Sequence, residues 1–102
     1  MAKLTAAAAA QILASARQTD AAGMALRIAV KRNDDGSLSY ALGFDDVGGE
    51  ADVSFRSEGV DIVIAPDSAA LAKDLVVDYV RLDSGEKAFV FINPHDPNYV
   101  PA

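Results

Sequence analysis

The stretch MALRIAVKRNDDGSLSYALGFD, residues 24–45, contains two runs in which every second side chain is large and apolar. Alternation with a period of two is typical of a half-buried β-strand. Between the runs lies the sequence Asn-Asp-Asp-Gly at 33–36, and Asp35-Gly36 is a strong signal for a tight turn. The stretch therefore predicts one β-hairpin, which decides that the fold contains an antiparallel sheet.

The flanking residues add short elements on both sides of this hairpin. Helix formers over 6–18, with Thr5 as the N-cap, predict a surface helix. Val53 and Phe55 predict a short strand, and Pro66-Asp67-Ser68 predicts the start of a short helix near 68–73. Apolar runs predict strands over 60–65, 75–82 and 88–92, and prolines at 94, 97 and 101 exclude the tail, 93–102, from a sheet.

These elements amount to about six strands and two short helices in a single domain over 1–102. Alternating βα units are absent, so we expect a compact α+β domain with a mixed or antiparallel sheet. The chain has 102 residues, 10.6 kDa of mass and a formal charge of −6. Its acidic balance and scattered bases argue against nucleic acid as a partner.

The chain contains no cysteine. This excludes disulfides, thiolate metal sites and cysteine nucleophiles within it. The alanine-rich start is too polar for a signal core and too short for a membrane span, so we expect a cytoplasmic protein.

The single histidine, His95, stands beside Asp96 and is the first candidate for chemistry. It would serve as a general base or a metal ligand, or else as a solvated tail residue that orders a turn. The turn at 33–36 does not fit an EF-hand, because Lys31 and Leu42 would fall where carboxylates are required. The sequence has no Gly-x-Ser-x-Gly motif and no phosphate-binding loop, so we do not expect an enzyme.

A series of short stretches carries a family resemblance. In order along the chain these are LTAAA (4–8), LRIAVK (26–31), LSYALGFDD (38–46), EGVDIVI (58–64), DS (67–68), DYV (78–80) and FVFINP (89–94). These stretches occur in the same order and at nearly the same spacing as in the A-type iron–sulfur carriers. The chain therefore resembles that family, which is also called HesB/IscA-like. The resemblance implies the fold of that family over nearly the whole chain.

Members of that family bind iron or an iron–sulfur cluster through three cysteines. The resemblance places these positions at Asp35 in the hairpin turn and at Val100 and Ala102 in the tail. Cluster iron needs soft thiolate ligands, so the resemblance implies no cluster and no other cofactor here. Stretches 58–67 and 93–101 are similar to a cysteine-less relative, the accessory protein encoded with the dissimilatory sulfite reductase genes of sulfur-oxidising bacteria.

Two hypotheses follow, beside an enzyme of an unrecognised kind that the fold does not exclude and that nothing positive in the sequence supports. The first is a non-catalytic accessory or regulatory protein, a monomer or weak dimer without a membrane role, that contacts a protein of sulfur or iron–sulfur metabolism. The second is a residual iron carrier that uses Asp35, His95, Asp96 and Tyr99 as ligands. The candidate partner contacts lie in the turn and the tail, where the family has its cysteines: Asn33, Asp34, Asp35, Gly36, Ser37, His95, Asp96 and Tyr99.

Overall fold

A computed structural model describes residues 2–21, 23–45 and 52–97. Within these ranges the chain forms seven strands and two helices, which confirms the α+β class. In chain order they are β1 (Lys3–Leu4), α1 (Ala6–Gln18), β2 (Ala25–Arg32), β3 (Leu38–Asp45), β4 (Val53–Ser57), β5 (Val60–Ile64), α2 (Pro66–Leu71), β6 (Val76–Arg81) and β7 (Lys87–Ile92). Strand β1 was not predicted because two residues are too few to show a period.

The predicted hairpin is present as β2 and β3. The two strands pair antiparallel, from Ala25 opposite Asp45 to Arg32 opposite Leu38. The turn closes with a hydrogen bond of 2.9 Å from the backbone N–H of Gly36 to the carbonyl of Asn33. Gly36 has a φ of 87°, a conformation in which glycine avoids the steric cost that a Cβ would impose.

Two mixed sheets share the core. The large sheet has the strand order β3-β2-β5-β4, and its β2 and β5 are parallel. The small sheet has the order β1-β6-β7, with β1 parallel to β6. The side chains of Ile28, Ile62, Leu75 and Val77 are fully buried between these layers.

Helix α1 packs its apolar stripe into this core. Ala8 and Ile12 are buried, whereas Leu13, on the other side of the helix, is 40% exposed. As predicted, Thr5 caps the helix, since its hydroxyl accepts a hydrogen bond of 3.1 Å from the N–H of Ala8. In the described part of the chain, the helices are not long and apolar enough to cross a membrane.

Helix α2 begins at Pro66, two residues before the predicted start, because proline suits the first turn of a helix. It lies against β2 through the buried hydroxyl of Ser68. This hydroxyl accepts a hydrogen bond of 3.1 Å from the N–H of Val30 and donates one of 3.2 Å to the carbonyl of the same residue. The pairing of β2 with β5 ends with Arg27 opposite Val63. Farther along β2, the hydroxyl of Ser68 is the hydrogen-bond partner of both the N–H and the carbonyl of Val30.

Candidate functional site

The hairpin turn is held together by its own side chains. The carboxylate of Asp35 accepts hydrogen bonds from the hydroxyl and from the backbone N–H of Ser37, the latter at 2.9 Å. These two bonds lower the pKa of Asp35 below its ordinary value. The amide of Asn33 donates to the hydroxyls of Ser37 and Ser39. At the position that would correspond to a family cysteine, the chain therefore has an exposed carboxylate engaged within the turn.

The tail is anchored by Asn93, which the sequence did not single out. Its side chain is 1% exposed, and its Nδ2 donates a hydrogen bond of 2.8 Å to the carbonyl of Leu71 at the end of α2. Its Oδ1 accepts a hydrogen bond of 3.0 Å from the N–H of His95. The dipeptide Asn93-Pro94 was a usable signal, since asparagine side chains bond the backbone two residues later in turns.

Tyr40 connects the tail to the hairpin. Its hydroxyl donates a hydrogen bond of 2.7 Å to Oδ2 of Asp96, and its ring stacks on Phe91 with centroids 4.7 Å apart. Burial, followed by the bond to Asp96, raises the pKa of Tyr40 to about 12. Tyr40 lies on β3, so this contact ties the tail to the strand that follows the predicted turn.

His95 pairs with Asp74, not with its neighbour Asp96. Its Nε2 lies 2.6 Å from Oδ2 of Asp74, and both side chains are about half exposed. The hydrogen bond from His95 lowers the pKa of Asp74. In the segments that the structure describes, no group of three or more His, Asp or Glu residues could hold a metal ion. The remaining candidate Tyr99, together with Val100 and Ala102, lies outside the described residues.

A cavity of about 370 Å³ opens between α1 and the large sheet. Its walls are mainly apolar and include Ile12, Leu13, Met24 and Phe44. The charged groups that line it are Arg17, Arg56 and Asp61, and the last two form an exposed ion pair of 2.8 Å. This cavity is separate from the turn and the tail.

The model of the iron–sulphur cluster biosynthesis family matches residues 2–94. The chain belongs to the iron–sulphur cluster biosynthesis family. Its fold matches that of IscA, solved with a [2Fe–2S] cluster, with a TM-score of 0.72 and 35% identity over 92% of this chain and 86% of that one. The HesB/IscA-like fold expected from the resemblance is thereby confirmed.

Other solved members of the fold agree. Escherichia coli SufA, involved in biosynthesis of iron–sulfur clusters, matches with a TM-score of 0.74 and 25% identity over 98% of this chain and 86% of that one. A protein from Aquifex aeolicus matches with a TM-score of 0.68 and 34% identity, over 90% of each chain. No curated protein sequence matches significantly. Within the iron–sulphur cluster biosynthesis family, this chain combines the shared fold with a complete lack of cysteine.

Proposed function

We propose that this chain is a non-catalytic accessory or regulatory member of the iron–sulphur cluster biosynthesis family. It has lost cluster binding and acts through protein contacts, in sulfur oxidation or iron–sulfur metabolism. The observation that carries the proposal is the hairpin turn, where Asp35 occupies the position implied for a cysteine and bonds Ser37. The pathway part of the proposal rests on the resemblance of 58–67 and 93–101 to the cysteine-less relative.

The ligand chemistry supports the loss of cluster binding. Iron–sulfur clusters are held by thiolates, with imidazole replacing some of them in particular classes. This chain offers one imidazole and no thiolate. A carboxylate such as Asp35 is a hard ligand that suits other cations better than a cluster. The residues present therefore do not fit a [2Fe–2S] cluster.

The exposed acidic turn and the anchored tail support a role in protein contact. Asp34 and Asp35 are exposed at the turn, and Tyr40 holds Asp96 close to the same strand. The backbone of this region is ordered by hydrogen bonds within the turn and by the buried Asn93. An ordered acidic surface favours a partner with a basic surface, because complementary charge accelerates encounter and selects the partner.

The first test is anaerobic reconstitution of the full chain with ferrous iron and sulfide, followed by desalting, visible absorption and metal analysis. IscA treated in parallel serves as the positive control. We expect no visible absorption band and no retained iron. Iron retained at about one per chain or per dimer, and lost in the Asp35→Ala/His95→Ala variant, would instead establish the residual carrier with oxygen and nitrogen ligands.

The second test addresses partner contact. Purified sulfur-oxidation and cluster-assembly enzymes are titrated with the chain, and affinity is measured by interferometry. Asp34→Lys is compared with Asp83→Lys, which makes the same charge change in the exposed turn between β6 and β7. We expect Asp34→Lys to weaken binding about tenfold and Asp83→Lys to leave it unchanged, because only the first lies in the turn proposed as a partner contact. Equal effects of the two variants would contradict a contact at this turn.

A further inference from the structure

The small sheet has an aliphatic face directed away from the core. Its register places Val76 opposite Ile92, Asp78 opposite Val90 and Val80 opposite Ala88. Since side chains alternate along a strand, these six share one face of the sheet. We call this surface the valine face, and its members are Val76, Asp78, Val80, Ala88, Val90 and Ile92.

The valine face is separate from the hydrophobic core. The residues that alternate with it belong to the hydrophobic core or pack against it; they are Val77, Tyr79, Phe89 and Phe91. Within the described part of the chain, the five aliphatic residues of the valine face are neither in the core nor packed against it. Ile92 is 40% exposed, and the other members are partly exposed. An antiparallel sheet that faces water normally carries polar residues on that side, so this face is unusual.

The large sheet provides an internal comparison. On its side away from the core, register pairs Arg27 with Gly43, Ala29 with Ala41 and Lys31 with Ser39. These residues are small or polar, as expected for a solvated face. On the same side of β5, Val63 is aliphatic but only 4% exposed. Among the residues compared, the partly exposed aliphatic face therefore belongs to the small sheet. An apolar patch of a few hundred Å² on a small domain is often functional, so the valine face is a candidate interaction site.

Asp78 is the only charged member of the valine face. Its Oδ1 accepts hydrogen bonds of 2.6 Å from the hydroxyl of Thr5 and 2.8 Å from the N–H of Tyr79. Its Oδ2 has no hydrogen-bond partner among the described residues. A carboxylate oxygen amid aliphatic side chains favours a partner that brings a hydrogen-bonding cation to that point.

We propose that the valine face docks an amphipathic α-helix of a partner protein whose apolar stripe carries one Lys or Arg that pairs with Asp78. This inference rests on the proposed function, since it names the kind of element through which a partner binds. The six-residue strands make the face about 20 Å long and about 10–15 Å wide. One helix, about 10 Å in diameter and about 13 residues long, covers such a surface.

A second copy of the chain fits this face less well. The face offers about 300 Å², whereas a stable interface needs roughly 800 Å² from each partner. Two copies would also bring together two chains of net charge −6 and two Asp78 carboxylates. A helix that carries positive charge avoids the repulsion, and a transient contact with a partner helix needs less area than a stable dimer.

The test uses a synthetic amphipathic peptide of 14 residues with a leucine stripe, one central lysine in the stripe and lysines on the opposite face. A second peptide carries glutamine at the central position. Binding to the full chain is followed by chemical-shift changes in ¹⁵N spectra. We expect shifts centred on β6 and β7, and a weakening of roughly fivefold to tenfold for the glutamine peptide or for Asp78→Asn.

The decisive result is a double-mutant cycle. Asp78→Asn keeps an oxygen for Thr5 and Tyr79, so the fold is retained, which far-UV circular dichroism checks. If the cation meets this carboxylate, the glutamine peptide and Asp78→Asn together weaken binding no more than either change alone. Asp67→Asn, with the same charge change at the exposed start of α2 and outside the face, should have no effect. Val90→Thr should weaken the binding of both peptides. Ala41→Thr, on the large sheet, should weaken the binding of neither peptide.

Several results would overturn the inference. If the glutamine peptide and Asp78→Asn weaken binding independently, the peptide lysine does not contact Asp78. If the chemical-shift changes lie outside β6 and β7, the valine face is not the binding site. Concentration-dependent shifts of β6 and β7 without peptide would assign the face to a second copy. Tighter binding after deletion of 98–102 would assign it to the tail. Failure here leaves the loss of cluster binding standing, whereas retained iron would overturn the proposed function without affecting the peptide result.

Discussion

Among single residues, Tyr40 connects three parts of the fold: β3, β7 and the tail. It is a member of β3, its ring stacks on Phe91 of β7, and its hydroxyl holds Asp96 in the tail. The alternation in the sequence predicted core packing for this ring. It did not predict the bond to Asp96, because the two residues are 56 positions apart.

The raised pKa of Tyr40 gives the first prediction at this scale. In the folded chain this pKa is about 12, against an ordinary value of about 10. The folded state thus disfavours the tyrosinate, so the stability that Tyr40 contributes is complete below about pH 10 and is lost as the pH rises toward 12. Absorbance at 295 nm should show one tyrosine that ionises near pH 12 and is absent in Tyr40→Phe.

The variant Asp96→Asn separates the two causes that raise the pKa of Tyr40, which are burial and the hydrogen bond to Asp96. Asp96→Asn removes the charge beside the hydroxyl but not the burial of the ring. The pKa of Tyr40 should therefore fall in Asp96→Asn and stay above 10, since burial is the larger cause. Identical titration curves for the wild-type chain and Tyr40→Phe above pH 11 would contradict this account.

At the scale of elements, Ser68 decides how α2 meets the large sheet. Strands β2 and β5 pair at Leu26 and Arg27, and then the chain leaves β5 to form α2. At that point the Ser68 hydroxyl forms hydrogen bonds with the N–H and the carbonyl of Val30. Buried backbone groups are nearly always paired, so this serine replaces a missing strand neighbour.

Ser68→Ala is therefore expected to destabilise the fold. The N–H and the carbonyl of Val30 would both lose their partner in a site where Ser68 is only 8% exposed. The free energy of unfolding should fall by about 1–3 kcal/mol in urea denaturation. Ser84→Ala, in the exposed turn between β6 and β7, is the control and should change it by less than about 0.5 kcal/mol. Similar losses in the two variants would refute the role given to Ser68.

At the scale of the whole molecule, one core joins two sheets of different outer character. The large sheet presents small and polar residues, whereas the small sheet presents the valine face. The net charge of −6 opposes close approach of identical chains. Both features agree with the proposed partner of opposite charge better than with self-assembly.

We therefore expect a monomer in solution. Light scattering at about 50 μM and moderate salt should give a mass near 10.6 kDa, and added ferrous iron should not change it. Val90→Thr should behave in the same way as the wild-type chain. A mass of two or four chains at this concentration, reduced to one in Val90→Thr, would show that the valine face joins copies.

The predictions made from the sequence succeeded where the signal was local. The hairpin at 24–45 and helix α1 were correct because alternation, an Asp-Gly turn and a threonine cap act over a few residues. In the candidate site, the turn and the tail were identified as two segments. Their connection through Tyr40, the pairing of His95 with Asp74 and the burial of Asn93 were not predicted, because each joins residues more than 20 positions apart.

The class of fold, the acidic charge and the absence of every thiolate ligand follow from composition and from patterns within one element, so the amino-acid order is enough to establish them. Which residues meet depends on the packing of distant elements. That packing determined that Asp96 reaches Tyr40 and that the aliphatic side chains of β6 and β7 lie on one face away from the core. Strand register and sheet order set these contacts, and both are fixed by the packing of the whole chain.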